Sequence, residues 1–554
     1  MTALSHDARL YRGTILRGAA YHMRMVLARG DWYFTVCALI VGAFMSVPYV
    51  YAVQQDNYRV AEVWKSRRVR GAYLADLLCI LVFGGAWAGC WFLSSRMFWG
   101  FLASLFFCIA EVALYIVDEA PKRKKPLRYT RRAVRAMAAV SLVSGAAVTA
   151  AIAFINAHVE DEYLRYPVFF ALSALYPLIF SGTLAFVNIF ERMNNRRYER
   201  RTRRALSAER DLVRIGITGS YGKTTVKNAL AAMLSVRFNV LATPASYNTP
   251  MGIARAVRAL NSSHDFFIAE MGARRRGDIA RLMRIVRPSH TILTGINDQH
   301  LETFGSREGI VREKLKILDV RAEDGACIVN DRLAALPAVA ENRRDNIVLA
   351  GGDEHSRVHY SDVTVCADGS AFTLWFYGTP VQCVTRLLGV HNVEDITLAA
   401  AMAFRFGISP EEIRDAVAEL APVPHRLQLI EGNGISIIDD TFNTNPDGAK
   451  RALEVLALFP GRKVALTPGM VELGAEENAA NKELGRMLAS VADVVLLVGG
   501  RRARTVAAGL KEGGFEGETR VYATLADAQA DFKRVLHVGD VLLLLNDLPD
   551  CYDD

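Results

Sequence analysis

The chain has 554 residues, 51% of them hydrophobic, a formal net charge of +8 and a mean hydropathy of +0.15. That length calls for several domains, and that hydropathy argues against a wholly soluble protein. The positive charge is concentrated beside apolar runs, where attraction to anionic lipid explains it without nucleic acid; zinc-knuckle spacing and aromatic–basic interleaving are both missing from the sequence.

The apolar weight lies in front. Residues 32–53 and 77–95 carry no charge, 98–117 hold only Glu111, and 136–157 and 166–190 hold none. Each run is about the length that crosses the hydrocarbon core of a bilayer. Buried core helices are the alternative, but several such runs separated by Arg/Lys-rich gaps do not suit a soluble fold. The pattern predicts a membrane region over residues 1–204 with four transmembrane helices and a fifth candidate, residues 32–53. That first run lies far from Met1 and lacks a clean small-residue cleavage site, so it does not read as a signal peptide.

The gaps orient the spans. Residues 65–70, 122–135 and 192–204 are basic, whereas His158-Val159-Glu160-Asp161-Glu162 is acidic. Basic loops stay cytoplasmic, so the last four runs form two hairpins. The carboxyl-terminal portion is then cytoplasmic, on a multi-pass protein of a bacterial-type inner membrane. If the first run also spans, parity puts the arginines of residues 9–29 outside, against the same rule. Either this run is re-entrant or the basic amino-terminal segment lies on the membrane surface as an amphipathic helix. The eight cysteines are scattered and form no CxxC pair, which indicates neither a disulfide framework nor a zinc site.

Next comes Ile217-Thr218-Gly219-Ser220-Tyr221-Gly222-Lys223-Thr224-Thr225, after an apolar strand pattern (212–217) and before an alanine-rich helix pattern (226–234). Gly219 and Gly222 let the backbone approach a polyphosphate. Lys223 offers a point charge to the β/γ-phosphates, and Thr224 a hydroxyl to Mg²⁺. The helix directs its positive end at the same anion. Ile217 stands where the strict phosphate-loop spacing has another glycine, so the loop is a shortened variant.

From about residue 205 short apolar strands (266–269, 291–293, 435–438, 464–466, 494–498, 541–545) alternate with helical patterns. This predicts parallel α/β sheets covered by helices, with an internal boundary at Pro422-Val423-Pro424. Glu270-Met271-Gly272 ends a strand, where a Mg²⁺-ligating carboxylate sits in phosphate-loop enzymes. Asn297-Asp298-Gln299-His300-Leu301-Glu302 follows another strand, and Glu313-Lys314-Leu315-Lys316 lies on a helix. Singly, a strand-end acid is commonly a cap, a lone His structural and a helical Lys solvent-facing.

In this order the motifs resemble the Mur ligase family, ATP-dependent amide-forming enzymes of peptidoglycan precursor synthesis. The likeness covers about 205–554 and is nearest the branch that adds D-alanyl-D-alanine to the muramoyl tripeptide. It continues through Gly389-Val390-His391-Asn392, Pro424-His425-Arg426-Leu427-Gln428, Asp439-Asp440-Thr441-Phe442-Asn443-Thr444-Asn445-Pro446 and Gly469-Met470-Val471-Glu472-Leu473-Gly474. It implies a central ATP-binding domain (205–421) and a dinucleotide-fold-like terminal domain (422–554). It also implies Gly219, Ser220, Gly222, Lys223, Thr224, Thr225, Asn392, Arg426 and Asp440 as nucleotide contacts. Thr224 and Glu270 would hold one Mg²⁺; His300 and a carbamate on Lys314 would position a second. Asn248 and Thr249 would meet the acceptor, and Asn443, Asn445 and Glu472 the incoming amine.

The chain also departs from the family. Asp395 stands at the usual Asx position, and Pro468-Gly469-Met470 lacks an acidic side chain. Leu545-Asn546-Asp547-Leu548-Pro549-Asp550 replaces a Lys-Gly-Ser motif. Membrane spans occupy the place of the family's uridine-nucleotide domain. The expected function is a membrane-anchored ligase joining an amino acid or short peptide to a lipid-linked wall precursor. A polyglutamate-type capsule ligase, and an ATP-binding scaffold or transport component, are the alternatives.

Overall fold

The computed structural model describes residues 32–547 apart from 56–57, 66, 90–95, 120–126, 160–163, 321, 323, 342–345, 433 and 443. The arginines of residues 9–29, residues 122–126 of the basic loop, and residues 548–550 lie outside the described residues. The chain divides into two compact units, residues 1–194 and 195–554.

The first unit is helical: α1 (Trp32–Gln55), α2 (Val60–Lys65), α3 (Arg67–Gly89), α4 (Arg96–Glu119), α5 (Arg131–His158), α6 (Arg165–Ala174) and the start of α7 (Tyr176–Ala208). Helices α1 and α5 approach closely because small residues face each other. A Cβ on Gly42 would lie 3.2 Å from the Ser141 backbone, and one on Gly145 would lie 2.9 Å from Leu39. Such small-residue seams are how apolar helices associate when burial from water supplies little drive.

Among the described residues, three helices are long and apolar enough to cross a membrane: Trp32–Gln54, Val69–Gly89 and Arg131–His158. The bent pair Arg165–Ala174 and Tyr176–Ala208 makes a fourth if counted as one span. The run at 98–117 lies in α4, whose stretch Phe98–Leu114 is an apolar helix. The run at 166–190, expected to be a span, is broken by 61°. Pro177 explains the break, since it has no N–H to donate and disfavours helical backbone at the residue before it.

The second unit holds two sheets. The first contains β1 (Val213–Thr218), β2 (Val240–Ala242), β3 (Phe266–Glu270), β4 (His290–Leu293), β5 (Cys327–Asn330), β6 (Ile347–Gly351), β7 (Val358–Cys366), β8 (Gly369–Phe376) and β9 (Thr379–Thr385). Their order is β2-β3-β1-β4-β5-β6-β7-β8-β9. The strands through β7 pair in parallel, as expected, but β7–β8 and β8–β9 are antiparallel, so the sheet is mixed. The local cause is turn chemistry. Tyr377 and Gly378 both have positive φ (50° and 88°), the backbone of a two-residue hairpin whose twist matches its strands.

The second sheet contains β10 (Gln428–Gly432), β11 (Ile435–Asp440), β12 (Lys463–Thr467), β13 (Val494–Val498), β14 (Glu518–Tyr522) and β15 (Val541–Leu545), ordered β10-β11-β15-β12-β13-β14. Here only β10 is antiparallel to its neighbour. The fully buried strands read as continuous apolar runs, Val494–Val498 being buried at every position, as parallel strands covered on both faces do.

Candidate active site

Segments that follow the carboxyl ends of adjacent parallel strands build the site, the usual position for ligands in open α/β sheets. β3, β1 and β4 are neighbours, and they deliver Glu270, the 219–222 loop and the 294–300 segment. In the other sheet β11 and β12 flank β15 and deliver Asn445 and Glu472.

The loop after β1 requires its two glycines. A Cβ on Gly219 would collide with the Thr294 hydroxyl, and one on Gly222 with the Asp395 carboxylate. Gly222 also has φ +76° and N-caps the helix Lys223–Leu234 without a side-chain cap, which leaves the first-turn N–H groups available to an anion. Ser220 braces the loop: its N–H donates to Gly295 O at 2.7 Å, and its Oγ accepts from Asn297 N at 3.0 Å.

Two lysines converge on one carbonyl. Lys223 Nζ and Lys314 Nζ each donate to Gly219 O at 2.9 Å. Burial lowers the Lys223 ammonium to about 8, with Glu270 opposing the shift. Lys314, only 2% exposed, is held well below its ordinary value by burial and then by the neighbouring Lys223 charge. Lys316 points elsewhere and pairs with Glu313.

Glu270 is buried at the end of β3. Its Oε2 accepts from Thr224 Oγ1 at 3.0 Å and lies 3.5 Å from Lys227 Nζ, while Oε1 accepts from Asn248 Nδ2 at 3.2 Å. The Thr249 hydroxyl caps the helix Pro250–Ala256 by accepting from Gly252 N at 3.2 Å. Beside the loop, Asp395 is pushed up to about 8, chiefly by burial, with a hydrogen bond to Thr225 opposing.

His300, at φ +65°, lies with Nδ1 2.5 Å from Glu472 Oε2; burial lowers its pKa and Glu472 opposes. Asn297 Nδ2 donates to Asn445 Oδ1 at 3.0 Å and to Asp447 Oδ2 at 3.1 Å. Arg426 lies 4.5 Å over the Phe442 ring. Asp440 accepts from Leu427 N at 3.3 Å, and burial raises it to about 7 against the pull of Arg426. The Asn392 amide donates to Leu388 O at 2.8 Å, within its own helix start. Asn443 lies outside the described residues.

The structure adds residues that the motifs did not single out. Lys227 follows Lys223 by one helical turn on the same face, a spacing that puts side chains together and was readable in advance. Arg451 lies 4.9 Å over the Tyr221 ring and 3.7 Å from Glu394. No local pattern signals that contact, because its partners are more than fifty residues away.

A phosphate-loop-like turn, an acidic strand end and two buried lysines on one carbonyl thus stand together at the carboxyl ends of the strands of an α/β unit. Residues 217–403 match the Mur ligase middle domain, and residues 425–546 match the Mur ligase glutamate ligase domain. The UDP-N-acetylmuramoyl-tripeptide–D-alanyl-D-alanine ligase of Mycobacterium tuberculosis is 32% identical over 356 residues, 60% of this chain and 69% of that protein. The protein of the same name from Bacillus subtilis is 32% identical over 278 residues, 50% of this chain and 60% of that protein. The crystal structure of MurF from Acinetobacter baumannii superposes with a TM-score of 0.59 at 25% identity, over 65% of this chain and 78% of that one. The chain belongs to the Mur ligase family.

Proposed function

We propose that the protein is a membrane-anchored, ATP-dependent ligase that joins an acceptor carboxylate to the amine of an amino acid or short peptide in cell-wall precursor metabolism. The convergence of Lys223 and Lys314 on Gly219 O carries the reading, because it sets two buried lysine amines beside the phosphate loop, one to meet an anion as an ammonium and the other, with its lowered proton affinity, free to carry a carbamate. The ligases named among the relatives support the reaction class.

A carboxylate is a poor electrophile and needs activation. Its oxygen attacks the γ-phosphorus of ATP and ADP leaves. The amine nitrogen then attacks the acyl carbon, the phosphate departs, and the nitrogen loses its proton. Lys223 and the first-turn N–H groups stabilise charge on the transferring group. The donor set of Thr224 and Glu270 suits one Mg²⁺, which when bound supplies charge neutralisation at the phosphates. Lys314 as an ammonium cannot ligate a cation, whereas its carbamate can and would, with His300, hold a second. Ser220, Gly222 and Thr225 line the phosphates, with Asn392, Arg426 and Asp440 toward the rest of the nucleotide. Asn248 and Thr249 face the acceptor, and Asn445 and Glu472 the amine.

The apolar helices of the first unit stand where the family's uridine-nucleotide domain is expected, and this supports an acceptor delivered on a lipid carrier, with the ligase unit on the cytoplasmic side. The test incubates detergent-purified protein with ATP, candidate amines, and either a soluble uridine-linked or a lipid-linked peptide precursor. Faster extension of the lipid-linked precursor is expected. Equal rates would reduce the helices to an anchor, and no amide product from either would remove the ligase reading.

A further inference from the structure

The segment that follows β3 carries three consecutive arginines, Arg274-Arg275-Arg276, which no step of the proposed chemistry uses. It runs between the loop of Asn248 and the short helix Leu301–Phe304. Gly272 N donates to Asn248 O at 2.9 Å, and the Thr303 hydroxyl donates to Arg274 O at 2.5 Å. Arg274 N and Arg275 N both donate to Asp278 Oδ2, at 3.1 and 3.0 Å. Glu313 closes the turn by accepting from Gly277 N and Ile279 N, each at 2.8 Å. The backbone of Arg274 is thus fixed through both its N–H and its carbonyl, while its side chain is 62% exposed. These bonds use backbone groups of the turn, so the fold there does not depend on the guanidinium.

That free arm reaches a strained pair. Arg274 Nη2 lies 4.0 Å from Glu472 Oε1, and the other oxygen of the same carboxylate, Oε2, lies 2.5 Å from His300 Nδ1. His300 and Glu472 are both non-glycine residues in the left-handed region, at φ +65° and +66°. Such backbone costs energy and gathers at ligand sites. The Arg274–Glu472 contact is at the limit of an ion pair and open to water on the arginine side. A pair of that kind is weakly held, so a ligand that offers the same two charges can replace it.

We propose that Arg274 reads a free carboxylate on the incoming amine, exchanging its contact with Glu472 for one with the substrate. This rests on the ligase reading, in which Glu472 faces the amine, and it adds which amines qualify. A zwitterion brings one ammonium and one carboxylate. The ammonium takes Glu472 Oε1 and the carboxylate takes the guanidinium, so one internal pair becomes two and no charge is left alone. The exchange is a binding step that makes and breaks no covalent bond, and it leaves His300 on Oε2. A guanidinium suits the task because it offers a carboxylate two parallel N–H groups. Arg275 and Arg276 add to the field that draws an anionic group in. An amine without a carboxylate would displace Arg274 from Glu472 and give it no anion in return. The substrate class is therefore an amino acid or peptide with a free carboxyl group.

The test is steady-state kinetics of the full chain in detergent, with ATP, magnesium and the peptide precursor that it extends. Glycine, alanine and alanylalanine (each hand) are supplied as free acids and as carboxamides. In the wild type, amidation is expected to raise KM for the amine at least about tenfold, the loss of one charged hydrogen bond. Arg274→Gln raises KM for the free acid by a similar factor. It leaves KM for the carboxamide unchanged or lowers it, because Glu472 no longer has to be released. Arg274→Lys recovers part of the loss, and kcat at saturating amine changes little, as removal of a binding contact requires. The cycle of the two changes also cancels the effect of amidation on the basicity of the amine. Equal KM for acid and carboxamide in the wild type would overturn the proposal. So would an equal rise for both in Arg274→Gln, which is what a purely structural contact gives. In either case amide product still forms and the ligase reading stands. No amide product from any of these amines removes that reading and the proposal together.

Discussion

The two units of this chain store polar groups in opposite ways. In the ligase unit the buried charges sit among partners from several elements: Glu270, at the end of β3, accepts from Thr224 and Asn248, and Glu394, in the helix Val390–Arg405, meets Asn330, Arg332 and Arg451. In the helical unit Asp76 and Glu111 are buried as the lone charges of the apolar stretches 71–95 and 97–117. Parallel strand ends offer a plane of N–H groups and loops on which a polar site can be assembled. Helices satisfy their own backbone, so a polar side chain between them depends on another side chain or a ligand. A buried charge in the first unit is therefore the stronger sign of function, and one in the second is more often shared architecture.

The largest effect expected on that contrast is at the phosphate loop. Lys223→Ala removes the charge that meets the transferring phosphoryl group, and ATP turnover should fall by at least about 100-fold with the urea midpoint nearly unchanged. Retained phosphate release would dissolve the distinction between site charges and structural ones. Lys314→Ala should be almost as damaging, and a short carboxylate added to the assay should restore part of the rate if the native lysine carries a carbamate. Full activity without rescue would leave Lys314 as a structural donor to Gly219.

How much was legible in sequence follows the same division. The phosphate loop could be read because its chemistry fixes residue type and short-range spacing, whereas Glu270, His300 and Lys314 were singled out only through the family likeness of the ordered motifs; the strands at 494–498 and 541–545 were found because fully buried strands are continuous apolar runs. The Asn297–Asn445 and His300–Glu472 contacts pair residues about 150 positions apart or more, and nothing local encodes them. The hairpins of β7–β9 were missed because residues 358–366 alternate weakly, and Tyr377 gives no hint of positive φ. In the helical unit, composition located the apolar runs but not the bend at Pro177, nor the burial of the two lone acids.

A smaller effect tests whether burial alone governs the ligase unit. Asp395 is raised to about 8 in the folded chain, against about 3.9 when unfolded. Between those values the native state holds more protons than the unfolded one, so stability falls as pH rises from about 4 to about 8 and is flat beyond. Asp395→Asn should remove this part of the slope in urea unfolding without moving the wild-type acid limb below pH 4. An unchanged slope would mean that Arg426 and Arg451 compensate the carboxylate more fully than its burial indicates.

The smallest effect separates a capping hydroxyl from a substrate contact. Thr249 Oγ1 accepts from Gly252 N at 3.2 Å and opens the helix Pro250–Ala256, so Thr249→Ala should cost about 1 kcal/mol of stability, read from the urea midpoint. A neighbouring serine keeps the acceptor oxygen and removes only a methyl, so Thr249→Ser should recover most of that loss. If the hydroxyl also touches the acceptor, Thr249→Ala raises KM for the acceptor at temperatures well below unfolding, and Thr249→Ser does not. A change in stability with an unaltered KM assigns Thr249 to the helix start alone and leaves Asn248, held by Glu270 at 3.2 Å, as the residue of that loop through which the acceptor is sensed.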